Sequence, residues 1–546
     1  MEPLPKRRRL SAEKDDTGLA KTLGQLTPRS LSHPVSPPRK RSRPQATHAE
    51  GNGEQPQATS AISEGVDALS PRANETFTSP FQLTWIRDLP EAANTDAVTL
   101  RDILGDPLIA ECWEFNYLHD IDFLISHFDE DIRHLVQVHV IHGFWKKEDS
   151  SRLMLQEQAK RHKNVTLHCA FMPEMFGTHH SKMLILIRHD DTAQVIIHTA
   201  NMIARDWTNM TQALWRSPLL PLLKEPLAGS TEGTLATIGS GEKFKVDLLN
   251  YLRAYDQRRT VCKTLVDKLE RYNFSAIRAA LIASVPGRHL IHDESETRWG
   301  WVGLKQILKN VPVQEGDSDI VVQISSIATL GPTDAWIRRT LFDSLKAARN
   351  ATQKSPSFKV VFPTPDEIRR SLDGYESGGS IHTKIQSAQQ AKQLLYLKPL
   401  FCHWANDAPR GRELEPGCSH KEAGRKRAAP HIKTYIRYGE KSIDWALTTS
   451  ANLSKQAWGE AANSSGEMRI ASWEIGVLVW PALFSEKARM VGTFQKDTPE
   501  ESRETPIVGL RIPYNHPLQA YGADEEPWVA TASYHEADWK GRVWLQ

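Results

Sequence analysis

The residues of this 546-residue chain best suited to chemistry are two histidine–lysine pairs, His180 with Lys182 and His431 with Lys433. A His-x-Lys triplet alone says little, because about one chance match is expected in a chain of this length. Here both triplets have the same sequel. Two apolar runs follow, then an asparagine, Asn201 or Asn452, each 21 residues after its histidine, then a tryptophan six residues further on, Trp207 or Trp458. A third triplet, His382 and Lys384, has His403 in place of the asparagine and a polar continuation, IQSAQQAKQ, so it falls outside the repeat. Any one of these residues alone reads most simply as a surface group or a turn former; the matched sets do not. Together they supply two imidazoles, two fixed positive charges and two amides. That is what is needed to grip an anionic tetrahedral centre and attack it from one side while a leaving group departs from the other. The lysines and asparagines suit the non-bridging oxygens of a phosphoryl group. Two imidazoles, with an ordinary pKa of about 6.5, can divide nucleophilic from acid–base work. With lysines neutralising the oxygens this chemistry calls for no divalent metal, and neither motif has a carboxylate cluster beside it of the kind Mg²⁺ takes. Zinc held by His179, His180 and His189 fits less well, for want of helical i,i+4 spacing or an accompanying carboxylate.

The elements that must position these groups repeat as well. Val136 to His142 and Val165 to Phe171 read as strands around a helical Ser151 to His162, and the first motif run follows. In the second half Val321 to Ile327 and Phe358 to Phe362 read as strands around an amphipathic helix from Thr333, its N-cap, to Asn350, before the second motif run. Strand, helix, strand and motif strand in each half predict α/β units. Alternation along a strand places His180 and Lys182 on one face and His179 on the other, so only one of the adjacent histidines looks into the site. Lys243 to Pro286 reads as helices covering the first sheet. Pro409 to Pro430 reads as a surface loop, and its Arg425-Lys426-Arg427 stands close enough in sequence to His431 to line an anionic groove.

Composition bounds the rest. Residues 1 to about 78 are rich in Ser, Pro and charge and poor in aromatics, the signature of a disordered tail. Its clusters Lys6-Arg7-Arg8-Arg9 and Arg39-Lys40-Arg41-Ser42-Arg43 read as nuclear import signals or nucleic-acid contacts, and Thr27-Pro28, Ser36-Pro37 and Ser70-Pro71 as phosphorylation sites beside them. Residues 1–45 hold 11 of the 68 basic residues and 4 of the 66 acidic ones, leaving the body with 57 bases and 62 acids. Nucleic acid must therefore meet a local groove, not a global field. No apolar run approaches the roughly 18–20 residues of a membrane span, and no secretory signal is expected. Five scattered cysteines without a CxxC pair read as reduced thiols.

Paired His-x-Lys motifs on a duplicated α/β chain resemble the phospholipase D superfamily, whose usual motif adds Asp five residues after the Lys. Here Ile187 and Tyr438 hold that position, which departs from the lipases and ordinary nucleases of the superfamily. GTHHSK, HTANMIARDW, PHIKTY and SANLSKQAWG resemble instead the tyrosyl-DNA phosphodiesterase family, type 1, from about Phe115 to the C-terminus. The resemblance implies His180 as the nucleophile on a DNA 3′-phosphotyrosyl phosphorus and His431 as the acid, then the water-activating base. It implies that Lys182, Lys433, Asn201 and Asn452 hold the phosphate and that Gln212 and Glu474 orient the imidazoles, without saying which serves which. It implies phosphate contacts at Ser325, Ser326 and Ser454, the first two ahead of a helix start that also favours anions. It further implies a DNA-side loop at Tyr375, Gly378, Gly379 and Ser380 whose glycines let backbone N–H groups approach phosphate, base stacking on Phe176, and a peptide-side lining of Tyr117 and Trp528.

The fold expected is α/β, two similar phospholipase D-like halves, each a mixed sheet sandwiched by helices and related by a pseudo-two-fold axis. Residues 1–78 form the tail, 79–315 the first catalytic half and 316–546 the second. The function expected is a monomeric nuclear DNA-repair hydrolase, without cofactor, metal or membrane partner. It would act on single-stranded or duplex DNA 3′ ends that carry a covalent topoisomerase I peptide. A broader 3′-end phosphodiesterase or nucleosidase and a non-catalytic DNA-end binder are the competing readings.

Overall fold

Both motif runs fold as central strands of mixed sheets. In the computed structural model, which describes residues 75–224, 236–350, 352–407, 420–500 and 505–546, the first sheet orders its strands Val165–Cys169, Gln137–His142, Ile109–Phe115, Met183–Arg188, Thr192–His198, Ala213–Arg216 and Phe81–Leu83. The second sheet has the matching series Phe401–Cys402, Ser357–Val361, Asp319–Gln323, Thr434–Tyr438, Ile443–Thr449 and Glu474–Val479. In both series the first three strands run parallel and the motif strand joins them antiparallel, followed by two more antiparallel neighbours. The duplication read from the motifs is thus also a duplication of strand order.

The period-two alternation of strands sorts their side chains into three cores. Met183 and Ile185 of the first motif strand face a central cluster, whereas Leu184 and Leu186 face an outer one shared with helices Leu100–Leu104 and Ile121–Ser126. In the second sheet Val321 and Ile436 join the same central cluster, while Ile320, Val322 and Tyr435 face a second outer core with Leu304 and Leu341. The two sheets therefore share one core. Helices Gly241–Arg253 and Lys263–Leu269 contribute to it Phe244, Leu248, Leu252 and Leu265.

The structure redraws several expected boundaries. Ala280–Ser284, inside the stretch read as helical and within the first half as bounded at 315, is a strand of the second sheet paired with Glu474–Val479. Thr76–Phe77, assigned to the tail, pairs in parallel with Ile507–Val508. The helix expected from Thr333 to Asn350 is helical only over 335–345 and includes the π-turn Ile337–Phe342; Asn350 instead brackets Val313, accepting from its N–H (3.0 Å) and donating to its carbonyl (2.9 Å). Arg425-Lys426-Arg427 lines no groove. Arg425 is buried and donates to Thr84 O (2.9 Å), Lys426 pairs with Glu422 (2.8 Å), and Arg427 pairs with Asp407 (2.6 Å). The basic clusters of the tail, its Ser-Pro and Thr-Pro pairs, and Cys418 lie outside the described residues. Among the described residues no helix is long and apolar enough to cross a membrane.

Candidate active site

Each His-x-Lys segment lies just ahead of its motif strand and pairs with the other half of the chain. His180 N–H donates to Trp473 O (3.0 Å) and Trp473 N–H to Thr178 O (2.9 Å), which sets His180 opposite Glu474. On the other side His431 N–H donates to Thr211 O (3.1 Å) and Thr211 N–H to Ala429 O (2.9 Å), which sets His431 opposite Gln212. Gly177 permits the first crossing, since a Cβ there would stand 1.9 Å from Ala471 O. The question the sequence left open is thereby answered. His180 Nδ1 donates to Glu474 Oε2 (2.9 Å), which also accepts from Ser450 Oγ (2.5 Å). His431 Nδ1 has the Gln212 amide as its hydrogen-bond partner, Nε2 at 3.0 Å and Oε1 at 3.3 Å. The neighbouring His179 turns away: its Nδ1 donates to Asn116 O (2.7 Å), its Nε2 accepts from Tyr255 OH (3.0 Å), and burial lowers its pKa to about 3.

His180 and His431 line one open groove of about 310 Å³, together with Asn201, Asn452, Ser325, Ser326, Ser454 and Glu474. Lys182 and Lys433 are fully buried, and their ammonium groups donate to the carbonyls of His180 (3.3 Å) and His431. Asn452 Oδ1 accepts from Ser325 N–H (3.1 Å), Ser325 Oγ (3.2 Å) and Ser326 N–H (2.9 Å), which orients its amide so that the NH₂ end is left to donate. Asn201 gives its Nδ2 to Asp206 Oδ2 (3.0 Å). On the rim Phe176 is 75% exposed, and Tyr117, 36% exposed, sets its ring 5.7 Å from that of His180.

Some residues take other parts than those the resemblance implied. Tyr375 and Trp528 are buried outside the groove and stack on each other at 5.9 Å. Trp528 Nε1 donates to Gly378 O (3.2 Å) and Ile381 O (3.0 Å), so the pair braces the loop carrying Gly379 and Ser380, which do line the groove. The N–H groups of Gly379, Ser380 and Ile381 bond back to Glu376, Ser377 and Gly378, leaving none to approach a phosphate. Gly378 answers to packing instead, because a Cβ there would lie 2.2 Å from Trp528 Cζ2. The backbone N–H groups of Ser325 and Ser326 are likewise taken by Asn452. Ser454 Oγ caps Lys455–Trp458, accepting from Gln456 N–H (3.1 Å) and Ala457 N–H (3.4 Å). His179, His180 and His189 are not gathered into a metal site; among the described residues no cluster of three or more His, Cys, Asp or Glu is so arranged.

The sequence matches the profile of the tyrosyl-DNA phosphodiesterase family over residues 80–522. The chain belongs to this family. A probable tyrosyl-DNA phosphodiesterase of Schizosaccharomyces pombe is 33% identical over 87% of this chain and 97% of its own length. Tyrosyl-DNA phosphodiesterase 1 of Arabidopsis thaliana is 30% identical over 86% of this chain and 77% of its own. The crystal structure of the yeast tyrosyl-DNA phosphodiesterase shares the fold with a TM-score of 0.57 at 20% identity, covering 82% of this chain and 98% of that one. The protein is thus a phosphodiesterase, and the mixed α/β fold is that of its family.

A tyrosyl-DNA phosphodiesterase site has to receive an anion, and the electrostatics here are those of a site awaiting one. Burial lowers the pKa of Lys182 to about 8, and burial with the neighbouring Lys182 charge pushes Lys433 further down. Burial also lowers both imidazoles, offset at His180 by Glu474 and deepened at His431 by Lys433 and Lys182. A phosphodiester anion in the groove opposes the repulsion among these lysines and imidazoles and favours their charged forms. Three groove-side residues escaped the sequence reading. His382, from the rejected third triplet, lines the groove because its N–H donates to Ser325 O (2.9 Å) and its carbonyl accepts from Ile327 N–H (2.9 Å). Arg205 lines it beside Gly379. Asp206 is buried beneath it, and its only sequence signal was a carboxylate five residues past Asn201.

Proposed function

We propose that this phosphodiesterase hydrolyses the bond between a DNA 3′-phosphate and a tyrosine, such as the peptide left by a stalled type I topoisomerase, through a phosphohistidine intermediate. The observation that carries this reading is the presence of two imidazoles in one groove, each held at Nδ1 by a residue from the opposite half, above two buried lysines. His180 Nε2 forms the bond to phosphorus as the bond to the tyrosyl oxygen breaks, and His431 Nε2 gives that oxygen its proton. A phenol, with a pKa of about 10, leaves readily once so assisted. His431, now neutral, takes a proton from water; the water oxygen bonds to phosphorus and the electron pair returns to His180, leaving a DNA 3′-phosphate. Exposed Phe176 offers a stacking face for an unpaired base. Because one chain supplies both histidines, it acts as a monomer, and its basic tail directs it to the nucleus.

The test is a denaturing gel of a labelled 3′-phosphotyrosyl oligonucleotide incubated in EDTA. Wild type turns over and His431→Asn accumulates a protein–DNA adduct, since losing the second-step base traps the intermediate. Parallel oligonucleotides with non-tyrosyl 3′ groups show how far the specificity extends. A folded wild type that binds the DNA without turnover would overturn the reading.

A further inference from the structure

His431 has a second neighbour that neither its motif nor the repeat explains. Asp206 sits on the short turn Ala204–Trp207, fully buried, with its Oδ2 3.1 Å from His431 Nδ1. The same oxygen accepts from Asn201 N–H (2.6 Å) and Asn201 Nδ2 (3.0 Å), whereas Oδ1 has no hydrogen-bond partner. A carboxylate taken out of water without full satisfaction is costly unless its charge is used. Burial raises its pKa, and the Asn201 hydrogen bonds and the charges of Lys182 and Lys433 oppose that rise and favour the ionised form.

We propose that Asp206 is the positioning carboxylate of His431: it receives the Nδ1 proton and so leaves Nε2 free to carry the protons of both chemical steps. The inference rests on the function proposed above and assigns a further residue to it. Three observations converge. First, an ionised carboxylate can only accept, so its oxygen 3.1 Å from Nδ1 favours the tautomer that carries its proton there. Second, the Gln212 amide can adapt. A half-turn presents its oxygen to Nδ1–H and its NH₂ to Thr199 Oγ1, 2.8 Å away, whose own proton then has Ala213 O at 3.4 Å. Third, the arrangement mirrors the other histidine, where Glu474 faces His180 Nδ1 at 2.9 Å. In both cases the carboxylate comes from the half that does not carry the histidine. In the second copy of the repeat Ala457 stands where Asp206 stands in the first, so Asp206 belongs to the site and not to the repeat. The other charged groups near His431, namely Lys433, Lys182, His180 and His382, all disfavour its imidazolium. Asp206 is the opposing charge at Nδ1, a part carboxylates play behind catalytic imidazoles generally.

The experiment compares wild type with Asp206→Asn, which keeps an acceptor for Asn201. Single-turnover adduct formation is followed with a 3′-phosphotyrosyl and a 3′-(4-nitrophenyl phosphate) oligonucleotide across pH. Asp206→Asn lowers kcat roughly 10- to 100-fold with KM little changed and moves the alkaline limb acid-ward by about one unit. It slows adduct formation from the tyrosyl ester far more than from the nitrophenyl ester, whose leaving group needs no proton. Equal slowing of both esters with an unmoved pH profile would make Asp206 merely structural and overturn the proposal. ¹⁵N-histidine spectra of the unmodified protein, with the His431 signal assigned by its loss in His431→Asn, give a readout independent of turnover. A protonated Nδ1 whose signal shifts in Asp206→Asn supports the assignment even if wild type cleaves neither ester, a result that would sink the function and not the pairing; a bare Nδ1, or one that Asp206→Asn leaves unmoved, overturns it.

Discussion

The buried charges of Lys182 and Lys433 are left for an anion in the groove to offset. Lys182, with a pKa of about 8, is charged at neutral pH but discharges as pH rises through that value. Lys433 is pushed lower still, and the cationic forms are the ones proposed to bind phosphate, so kcat/KM has already fallen on the alkaline side by about pH 8. The bound anion raises the lysine pKa, and the same limb in kcat lies at higher pH; pH profiles of the two parameters check the separation. Lys182→Met and Lys433→Met each lower kcat by about 10²–10³. Arg205, exposed on the groove wall, acts at longer range. Arg205→Ala raises KM for an oligonucleotide and reduces the slope of log affinity against log salt by about one, whereas a single-nucleotide ester feels little change. At this scale the sequence was legible where identity was doubled: the His, Lys and Asn sets needed only their repeat. Asp206 and His382 were not, because what brings them to the site is a turn and a backbone bridge with no periodic trace.

Between residue and molecule the controlling element is the loop from Tyr375 to His382. The N–H groups of Gly379, Ser380 and Ile381 bond back within it, and Gly378 answers to the face of Trp528 rather than to a phosphate. Gly378→Ala therefore displaces the loop or the indole at a cost of about 1–3 kcal/mol. Tm falls by thermal melt, and KM rises because Gly379 and Ser380 move with the loop, while adduct chemistry at His180 persists in single turnovers. The resemblance located this loop by its glycines but could not tell contact from support. A Gly-Gly-Ser run looks the same whether a ligand or a tryptophan fills the missing side chain's place. The expected Thr333 helix failed for a related reason: amphipathic spacing was present, but a π-turn and the Asn350 bracket on Val313 set its ends.

For the molecule as a whole, the presence of strands ahead of each motif strand was readable from the sequence, whereas their order in the sheets and their exchange between the halves were not: Ile109–Phe115, unread from the sequence, takes the place beside the first motif strand that Asp319–Gln323 takes beside the second. Thr76–Phe77 and Ala280–Ser284 join the second sheet although they end 354 and 147 residues before His431, and short paired segments of this kind carry little pattern of their own. A chain begun at Glu75 keeps the first of these pairings, including the contact of Phe77 with Phe484 at 5.7 Å, and one begun at Ser79 loses it. The shorter chain melts a few degrees lower with unchanged chemistry; differential scanning calorimetry of the two separates them.

The two crossings that seat Thr178–His180 on Trp473 and Ala429–His431 on Thr211 have a further consequence for the cell that makes this protein. Under the mechanism proposed above the enzyme bonds itself to broken DNA, and is one failed step away from becoming the lesion it removes. A chain cut short after the first half would carry the nucleophile without Glu474 or the acid, and an isolated second half would carry the acid without a nucleophile. On that proposal neither fragment commits a DNA end: the crossings that bring up the attacking group also bring up the releasing one, so an unfinished molecule is expected to be inert.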